Sequence, residues 1–226
     1  MLWSLPLSDT SRLIDRVASD ALAAPLKLVG YRRVGRTWRR RQGDAIQVVN
    51  VQASRSNTGA DGQFLLNAGV YFPALAARLG LFPPTDAPAE ADCHLRTRPM
   101  PPGRSWWKVR AAGAARPDLD AGRFLGAVFT WLDRRADQRA DRTNARATEE
   151  LRQSLEHRAL PWLSRMTHLS SARDEFVRRG DLWYAAAASL ELGEHSAAAH
   201  YLAEASRAAA PVKADELRRW GQVNGL

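Results

Sequence analysis

The chain has one cysteine, few lysines and no long apolar segment. Because Cys93 is the single cysteine, a disulfide within the chain and a cysteine-rich zinc site are both excluded. No apolar run approaches the ~20 residues that a helix needs to cross a bilayer. Residues 1–16 lack the basic start and the apolar length of a signal peptide. We therefore expect a cytoplasmic protein that does not insert into a membrane.

The common signatures of catalysis are also missing. The sequence has no Walker loop, dinucleotide-binding glycine fingerprint or HExxH zinc motif, and no GxSxG elbow. Asp92, Cys93 and His94 form a tempting trio, but successive side chains of a strand face opposite sides, which would separate the thiol from the imidazole. His195 and His200 do not share a helix face well. The sequence therefore favours a protein without an enzymatic activity, a metal site or a cofactor.

Positive charge is abundant and comes almost wholly from arginine. Among 226 residues, 33 are basic and 24 acidic, which gives a net charge of +9, and only three of the basic residues are lysines. One interpretation is an acidic partner, either nucleic acid or an acidic protein face. The other is that GC-rich coding enriches arginine without any function. Composition alone leaves both open.

The first 72 residues predict one helix and a three-stranded antiparallel meander. The helix begins near Asp9 with apolar residues at helical spacing, and Pro25 should kink or restart it. Strand-like runs then cover residues 31–42, 45–53 and 63–72, and their short connections predict neighbouring antiparallel strands. The third run alternates most cleanly between apolar and polar residues, so one of its faces should lie on a core.

The arginines of residues 31–42 cannot all lie on one face. Arg36 and Arg40 share one parity of the strand, whereas Arg39 has the other. A core face cannot accept several unpaired guanidinium groups. The strand is therefore twisted, bulged or at a sheet edge, where charge prevents unwanted pairing. The alternative is a phosphate-binding ridge, in which Trp38 either stacks on a base or belongs to the core.

Amide side chains interrupt the second and third strands. Asn50 and Gln52 share one side of the second strand, and Asn67 and Tyr71 share one side of the third. Together they could form a hydrogen-bonding platform for a peptide, a nucleobase or a partner's loop. The competing interpretation is structural, with amides that satisfy polar groups of the protein itself.

Two further strands and a long helix are predicted beyond the meander. The strands cover residues 91–98 and 105–110, and the adjacent Trp106 and Trp107 should face opposite sides, one toward the core and one toward a surface or interface. The helix begins near Leu119 and carries a strong apolar stripe over 124–132. That stripe thins after Asp133, which suggests that the helix leaves one core and enters another.

The rest of the chain is predicted to be helical. Apolar helices over residues 182–192 and 196–209 are joined by a very short turn and should pack as an antiparallel hairpin. The expected fold class is therefore α+β, with an antiparallel sheet of about four to five strands packed with helices, followed by an all-helical C-terminal region. We expect an α+β domain over 1–140 and a helical extension over 141–226.

Three segments resemble a known family. GYRRVGRTW at 30–38, VVNVQ at 48–52 and FLLNAGVY at 64–71 resemble the successive strands of the bacterial "domain of unknown function 4304" family, over roughly residues 8–140. The resemblance implies the same fold and no assigned activity. The hairpin LGEHSAAAHYLAEAS is weakly similar to a single tetratricopeptide-type unit, although three or more repeats are normally needed for a stable array.

We expect a non-enzymatic binding protein with a regulatory or toxin-neutralising role. Its protein partner would contact the polar sheet face and the C-terminal helices. The alternative is a nucleic-acid-binding protein that uses the arginine-rich first strand. The candidate ligand- or partner-binding residues are Arg36, Trp38, Arg39, Arg40, Asn50, Gln52, Asn67, Tyr71 and Trp107.

Overall fold

The computed structural model describes residues 9–57, 61–80, 83–111 and 123–226, with side chains from 135 onward in the last range. The helices in these residues are α1 (Asp9–Leu28), α2 (Pro73–Leu79), α3 (Arg123–Ser154), α4 (Leu160–Arg165), α5 (Leu169–Arg179), α6 (Leu182–Glu191), α7 (His195–Ala208) and α8 (Pro211–Val223). The strands are β1 (Arg32–Val34), β2 (Thr37–Gln42), β3 (Ala45–Ala53), β4 (Asp61–Tyr71), β5 (Leu95–Thr97) and β6 (Trp107–Arg110). A 3-10 turn covers Glu90–Asp92, and a π-helical turn covers Leu155–Ala159. None of the helices described has the length and hydropathy of a membrane-spanning segment.

The strands form one sheet in the order β1-β2-β3-β4-β5, and β6 also pairs with β4. Ala68–Val70 of β4 pair antiparallel with β5, and Asp61–Phe64 pair antiparallel with β6. The predicted α+β class, with an antiparallel sheet and a helical C-terminal region, is confirmed. The described residues contain six strands rather than the four to five expected.

The arginine-rich run is two strands and not one. Gly35, with a φ of +60°, turns the chain between β1 and β2, and only glycine enters this left-handed region without strain. Because the chain turns at Gly35, the alternation of one unbroken strand does not decide which of these arginines share a face. β1 is the end strand of the order and all three of its residues are exposed, which fits the predicted charged edge.

Other boundaries also differ from the sequence prediction. The run expected as a strand over 91–98 is a strand only over Leu95–Thr97, because Asp92 closes the preceding 3-10 turn by accepting a hydrogen bond from the Ala89 N–H at 2.7 Å. Pro25 lies inside α1 and does not end it. It stands in the last turn of the helix, where few backbone hydrogen bonds follow. The predicted helix start at Leu119 and the apolar stripe over 124–132 lie outside the described residues or side chains.

The chain divides into two compact units that are each discontinuous in sequence. The first contains Met1–Trp38, Asn50–Asn67 and Arg98–Ala159, and the second contains Arg39–Val49, Ala68–Thr97 and Leu160–Leu226. The predicted division between residues 140 and 141 stays a prediction.

The first unit is organised around α1. Its buried face includes Ile14, Ala18 and Leu22, and the helix packs on α3 and β6. Gly62 of β4 lets the helix approach closely, because a Cβ at that position would lie 2.5 Å from the Thr10 Cγ2. The periodic apolar face of the first helix therefore becomes the core of this unit, as the sequence predicts.

The second unit is built from closely packed helices. α6 packs on α5 and α7 through Ala185–Ala188, which are completely buried, and α7 packs on α8. Small side chains allow such close helix approach, and α6 and α7 form the predicted hairpin. Arg78 of α2 donates to the Glu191 carboxylate at 2.6 Å and to Asn224 Oδ1 at 3.1 Å, which joins α2 to the ends of α6 and α8.

One buried amide attaches strand β3 to the helices of the same unit. Gln47 is completely buried, and its Nε2 donates to the Leu163 carbonyl at 2.7 Å and to Thr167 Oγ1 at 3.2 Å. Its Oε1 accepts from Arg40 at 2.8 Å. The amide is thus bonded at both ends, as a buried polar group must be.

Candidate functional site

A pocket of about 400 Å³ lies in the second unit, within the usual size range of ligand sites. Its apolar wall comes from Ala76 and Leu79 of α2 and from Pro83. Its aromatic side comes from Tyr71 at the end of β4 and Tyr184 in the first turn of α6. The pocket therefore combines a strand end, two helices and a loop.

Local contacts hold the loop side of this pocket. The Tyr71 hydroxyl accepts a hydrogen bond from the Thr85 N–H at 3.2 Å, which fixes the chain that follows α2. Gly69 of β4 allows Cys93 to come close, because a Cβ on the glycine would lie 2.6 Å from the Cys93 Sγ. Both His94 and Cys93 line the pocket as a result.

His94 is the most informative polar group in the pocket. Its Nδ1 accepts a hydrogen bond from the Phe72 N–H at 3.1 Å. Burial lowers the pKa of His94 to about 4, so the ring is neutral at pH 7. Since Nδ1 accepts, the single ring proton of the neutral form must lie on Nε2. No described residue bonds Nε2, which leaves this N–H as a donor for a ligand.

Aromatic rings surround the imidazole. The Tyr71 ring stacks on His94 with 5.0 Å between centroids and 24° between planes. Tyr184 approaches the same ring edge-on at 6.2 Å and stacks on Phe176 at 5.4 Å. Packed rings have few rotamers left to lose, so the site is preorganised for a flat ligand.

The surroundings of Cys93 disfavour its thiolate form. The thiol is buried, and burial raises its pKa further, with the charges of Glu90 and Asp92 acting in the same direction. A protonated thiol that donates to the Ala89 carbonyl is a packing residue. A strand through residues 91–98 would separate Cys93 from His94, whereas both residues lie before β5 and line the same pocket.

Charged groups lie only at the rim. Asp92, Arg96 and Asp181 line the pocket and are exposed to water. In the part of the chain that the structure describes, no group of three or more His, Cys, Asp or Glu side chains is arranged to hold a metal ion. The charged groups of this pocket are therefore in contact with water, whereas its Tyr71 ring is buried.

The amides predicted as a platform bond mainly to their own protein. Asn67 is 1% exposed, and its Nδ2 donates to Gln52 Oε1 at 3.0 Å. Asn50 Nδ2 donates to Thr37 Oγ1 at 2.9 Å. Among the side-chain atoms of these three amides, Asn67 Oδ1 is the one that is buried without a hydrogen-bond partner in the described residues. Tyr71 is part of the pocket. A binding role for Asn50, Gln52 and Asn67 stays a prediction.

The arginines predicted as a ridge also have partners within the chain. Arg36 donates to the Asp15 carboxylate at 2.5 Å and to Ser11 Oγ at 2.6 Å. Arg39 donates to the Pro88 carbonyl at 2.7 Å, and Arg40 bonds to Gln47. The guanidinium group of Arg36 ties the turn between β1 and β2 to α1, and those of Arg39 and Arg40 tie β2 to a loop and to a buried amide.

The predicted aromatic candidates separate into core and surface. Trp38 is buried, with the Arg33 guanidinium 4.8 Å from its ring centroid. Trp107 is completely buried and stacks on Phe64 at 5.8 Å, so it has no surface for a partner. Trp106 and Trp107 were expected to face opposite sides, and Trp106 is the half-buried one of the two. Trp106 therefore replaces Trp107 as the candidate for binding.

Sequence reasoning missed His94 and Tyr184 as site residues. A strand through Asp92 predicts that His94 points away from Cys93, and so it gives His94 no part in a site. Tyr184 gives no signal, because its part in the site depends on how α6 packs. Only Tyr71 belongs both to the predicted set and to the pocket.

A known family matches more than half of the chain. The family described as Domain of unknown function (DUF4304) matches residues 22–165. The chain belongs to this family. Neither curated proteins nor solved structures gave a match. The predicted resemblance is confirmed, whereas the likeness of the α6–α7 hairpin to a tetratricopeptide-type unit stays a prediction.

The DUF4304 match contains most of the residues that line this pocket. Tyr71, Cys93 and His94 lie inside the matched residues 22–165, whereas Tyr184 and Asp181 follow them. The part of the site with the fixed imidazole thus belongs to the DUF4304 match. The aromatic ring of α6 is supplied by the part of this chain beyond the match.

Proposed function

We propose that this protein is a non-enzymatic binding protein whose ligand is a small, flat, uncharged compound with a hydrogen-bond acceptor. The observation that carries the proposal is the state of His94: a buried, neutral ring, fixed through Nδ1, with its Nε2 proton available. A ligand acceptor would bond to this proton while its ring packs among Tyr71 and Tyr184.

Binding is favoured over catalysis by the same groups. With a pKa of about 4, His94 is a weak general base at neutral pH. The Cys93 thiol is protonated and bonded to a carbonyl. The carboxylates of Asp92 and Asp181 are exposed to water.

The proposal includes a regulatory role in a bacterial cytoplasm, where the single thiol would stay reduced. The predicted protein partner also stays a prediction, and the apolar surface of α8 supports it, since Val212 is 74% exposed and Val223 is 86% exposed. Nucleic-acid binding through the first strand is supported less, because Arg36, Arg39 and Arg40 already bond within the chain.

A blocked pocket tests the proposal. Ala91 is exposed and lines the pocket, whereas Ala89 is exposed two residues earlier and does not line it. Ala91→Trp should fill the opening, and Ala89→Trp is the matched control. The probes are indole, quinoline and benzimidazole, followed by ligand-observed NMR against the full chain.

At least one probe should bind the wild type and the control variant, and should bind Ala91→Trp at least tenfold more weakly. His94→Phe should also weaken binding of the probes that carry an acceptor nitrogen. The proposal is wrong if no probe binds at millimolar concentration, or if the blocked variant binds as well as the wild type.

A further inference from the structure

A second pocket, of about 600 Å³, lies in the first unit. Its walls come from strand β6 and the loop before it, from Gln63 of β4, and from the middle of α3. All of its lining residues belong to the first unit, so it is separate from the pocket around His94.

The frame of this second pocket is well fixed. Asn144 of α3 makes two hydrogen bonds with the backbone of Arg110: its Oδ1 accepts from the N–H, and its Nδ2 donates to the carbonyl, both at 2.9 Å. These bonds attach α3 to the end of β6. Gln63 and Lys108 are directly paired across β4 and β6, so their side chains share one face of the sheet.

That face is the one opposite the core. Trp107 and Val109 are buried, so the alternation of an extended chain places Trp106 and Lys108 on the other side. Both line the pocket, Trp106 half-buried and Lys108 exposed. An indole ring and an ammonium group therefore lie together on one wall.

The charge of the pocket is positive. Arg104 and Arg146 both line it, and both pair with the Glu150 carboxylate at 2.7 Å. No acid among the described residues pairs with Lys108, and the nearby Asp61 is bonded by Arg110. Two arginines and one lysine line the pocket, and only the two arginines share a carboxylate, so these four groups carry a net charge of +2. The pairing also orients the two guanidinium groups before any ligand arrives.

We propose that this pocket binds a nucleotide. Lys108 and the two arginines would contact the phosphate oxygens, for which ammonium and guanidinium groups are the usual partners. Trp106 would stack on the base, since every base offers a flat π-face to an aromatic ring. The pocket volume suits a mononucleotide, which is either free or the end of a single strand.

Isothermal titration calorimetry of the full chain at low salt tests the site. The probes are adenosine 5′-monophosphate, adenosine, inorganic phosphate and a single-stranded RNA octamer. We expect the monophosphate to bind at least tenfold more tightly than either adenosine or phosphate, because only it uses both the cations and the indole. Binding should weaken as salt is raised.

Variants assign the contacts. Lys108→Gln should weaken monophosphate binding at least fivefold, and Trp106→Leu should reduce it to the level of phosphate. Lys213→Gln, a lysine of the second unit paired with Glu216, should bind as the wild type does. Lys108 is exposed, so its replacement leaves the fold intact and its result can be interpreted directly.

Two results would overturn the proposal: no saturable binding of the monophosphate at millimolar concentration, or equal binding by the wild type, Lys108→Gln and Trp106→Leu. If the octamer binds more tightly than the monophosphate and the same variants weaken both, the ligand is a nucleotide at the end of a single-stranded nucleic acid. If the monophosphate binds at least as tightly as the octamer, it is a free nucleotide.

Discussion

Acid should destabilise the folded protein through His94. The ring is neutral in the folded state because burial lowers its pKa to about 4, against the ordinary 6.5. Below pH 6.5 the unfolded chain takes up a proton at this residue and the folded protein does not. The free energy of unfolding must therefore fall as the pH falls from 6.5 toward 4. The charged groups that line the same pocket, Asp92, Arg96 and Asp181, are exposed.

The size of this effect follows from the two pKa values. Proton linkage with pKa values of 6.5 and about 4 gives a loss of roughly 2 kcal/mol between pH 7 and pH 4.5. Other buried or paired groups add to the acid sensitivity of the wild type. The part that belongs to His94 is the difference in pH dependence between the wild type and a variant without the imidazole.

His94→Gln is the suitable variant, because the amide oxygen can accept the Phe72 N–H in place of Nδ1. Urea unfolding is followed by circular dichroism at pH 7 and pH 4.5 at constant ionic strength. The variant should lose roughly 2 kcal/mol less than the wild type between the two conditions. His200→Gln, at an exposed histidine, should lose as much as the wild type. Equal losses for the wild type and His94→Gln would refute the buried, neutral assignment.

Three further changes test the packing of the second unit by urea unfolding at pH 7 or across an acid series. Gln47→Met removes a fully buried amide and should lower the free energy of unfolding by about 1–3 kcal/mol. The control, Gln222→Met at an exposed position, should change it by less than about 0.5 kcal/mol. Equal effects of the two changes would contradict the hydrogen bonds of Gln47. Gly69→Ala places a Cβ 2.6 Å from the Cys93 Sγ and should cost roughly 1–3 kcal/mol through overpacking, so an unchanged midpoint would argue against this contact. A hydrogen bond from Arg178 lowers the pKa of Glu175 to about 2. The free energy of unfolding should therefore fall less between pH 4.5 and pH 2 in Glu175→Gln than in the wild type. An unchanged acid profile would count against that hydrogen bond.

Hydrophobic periodicity was enough to predict most of the fold. The alternation of residues 63–72 predicted the central strand, and β4 contains it almost entirely. The helix before the meander and the hairpin of α6 and α7 also follow from their apolar spacing. These features depend on residues close in sequence, which is where patterns are most reliable.

Features that depend on single residues or distant contacts were not predictable in this way. The alternation of β4 predicts that Asn67 and Tyr71 lie on an exposed polar face. Both side chains are buried, because both faces of the strand are covered from Phe64 onward. The turn at Gly35 was not predicted, because the arginines on both sides of it resemble one continuous strand. The pocket brings Tyr184 of α6 together with His94, almost a hundred residues earlier in the chain. A pattern of neighbouring residues cannot predict such a contact.

The hydrogen bonds of Gln47 have a consequence for sequence change within the family. Gln47 lies inside the matched region 22–165, whereas Thr167, one of its two acceptors, lies just beyond it. The shorter of its two donated bonds, to the Leu163 carbonyl at 2.7 Å, and the bond that it accepts from Arg40 both lie inside the match. A relative whose chain differs after residue 165 could therefore bury a glutamine at position 47 with both ends of the amide still bonded, so the buried amide is compatible with different C-terminal parts.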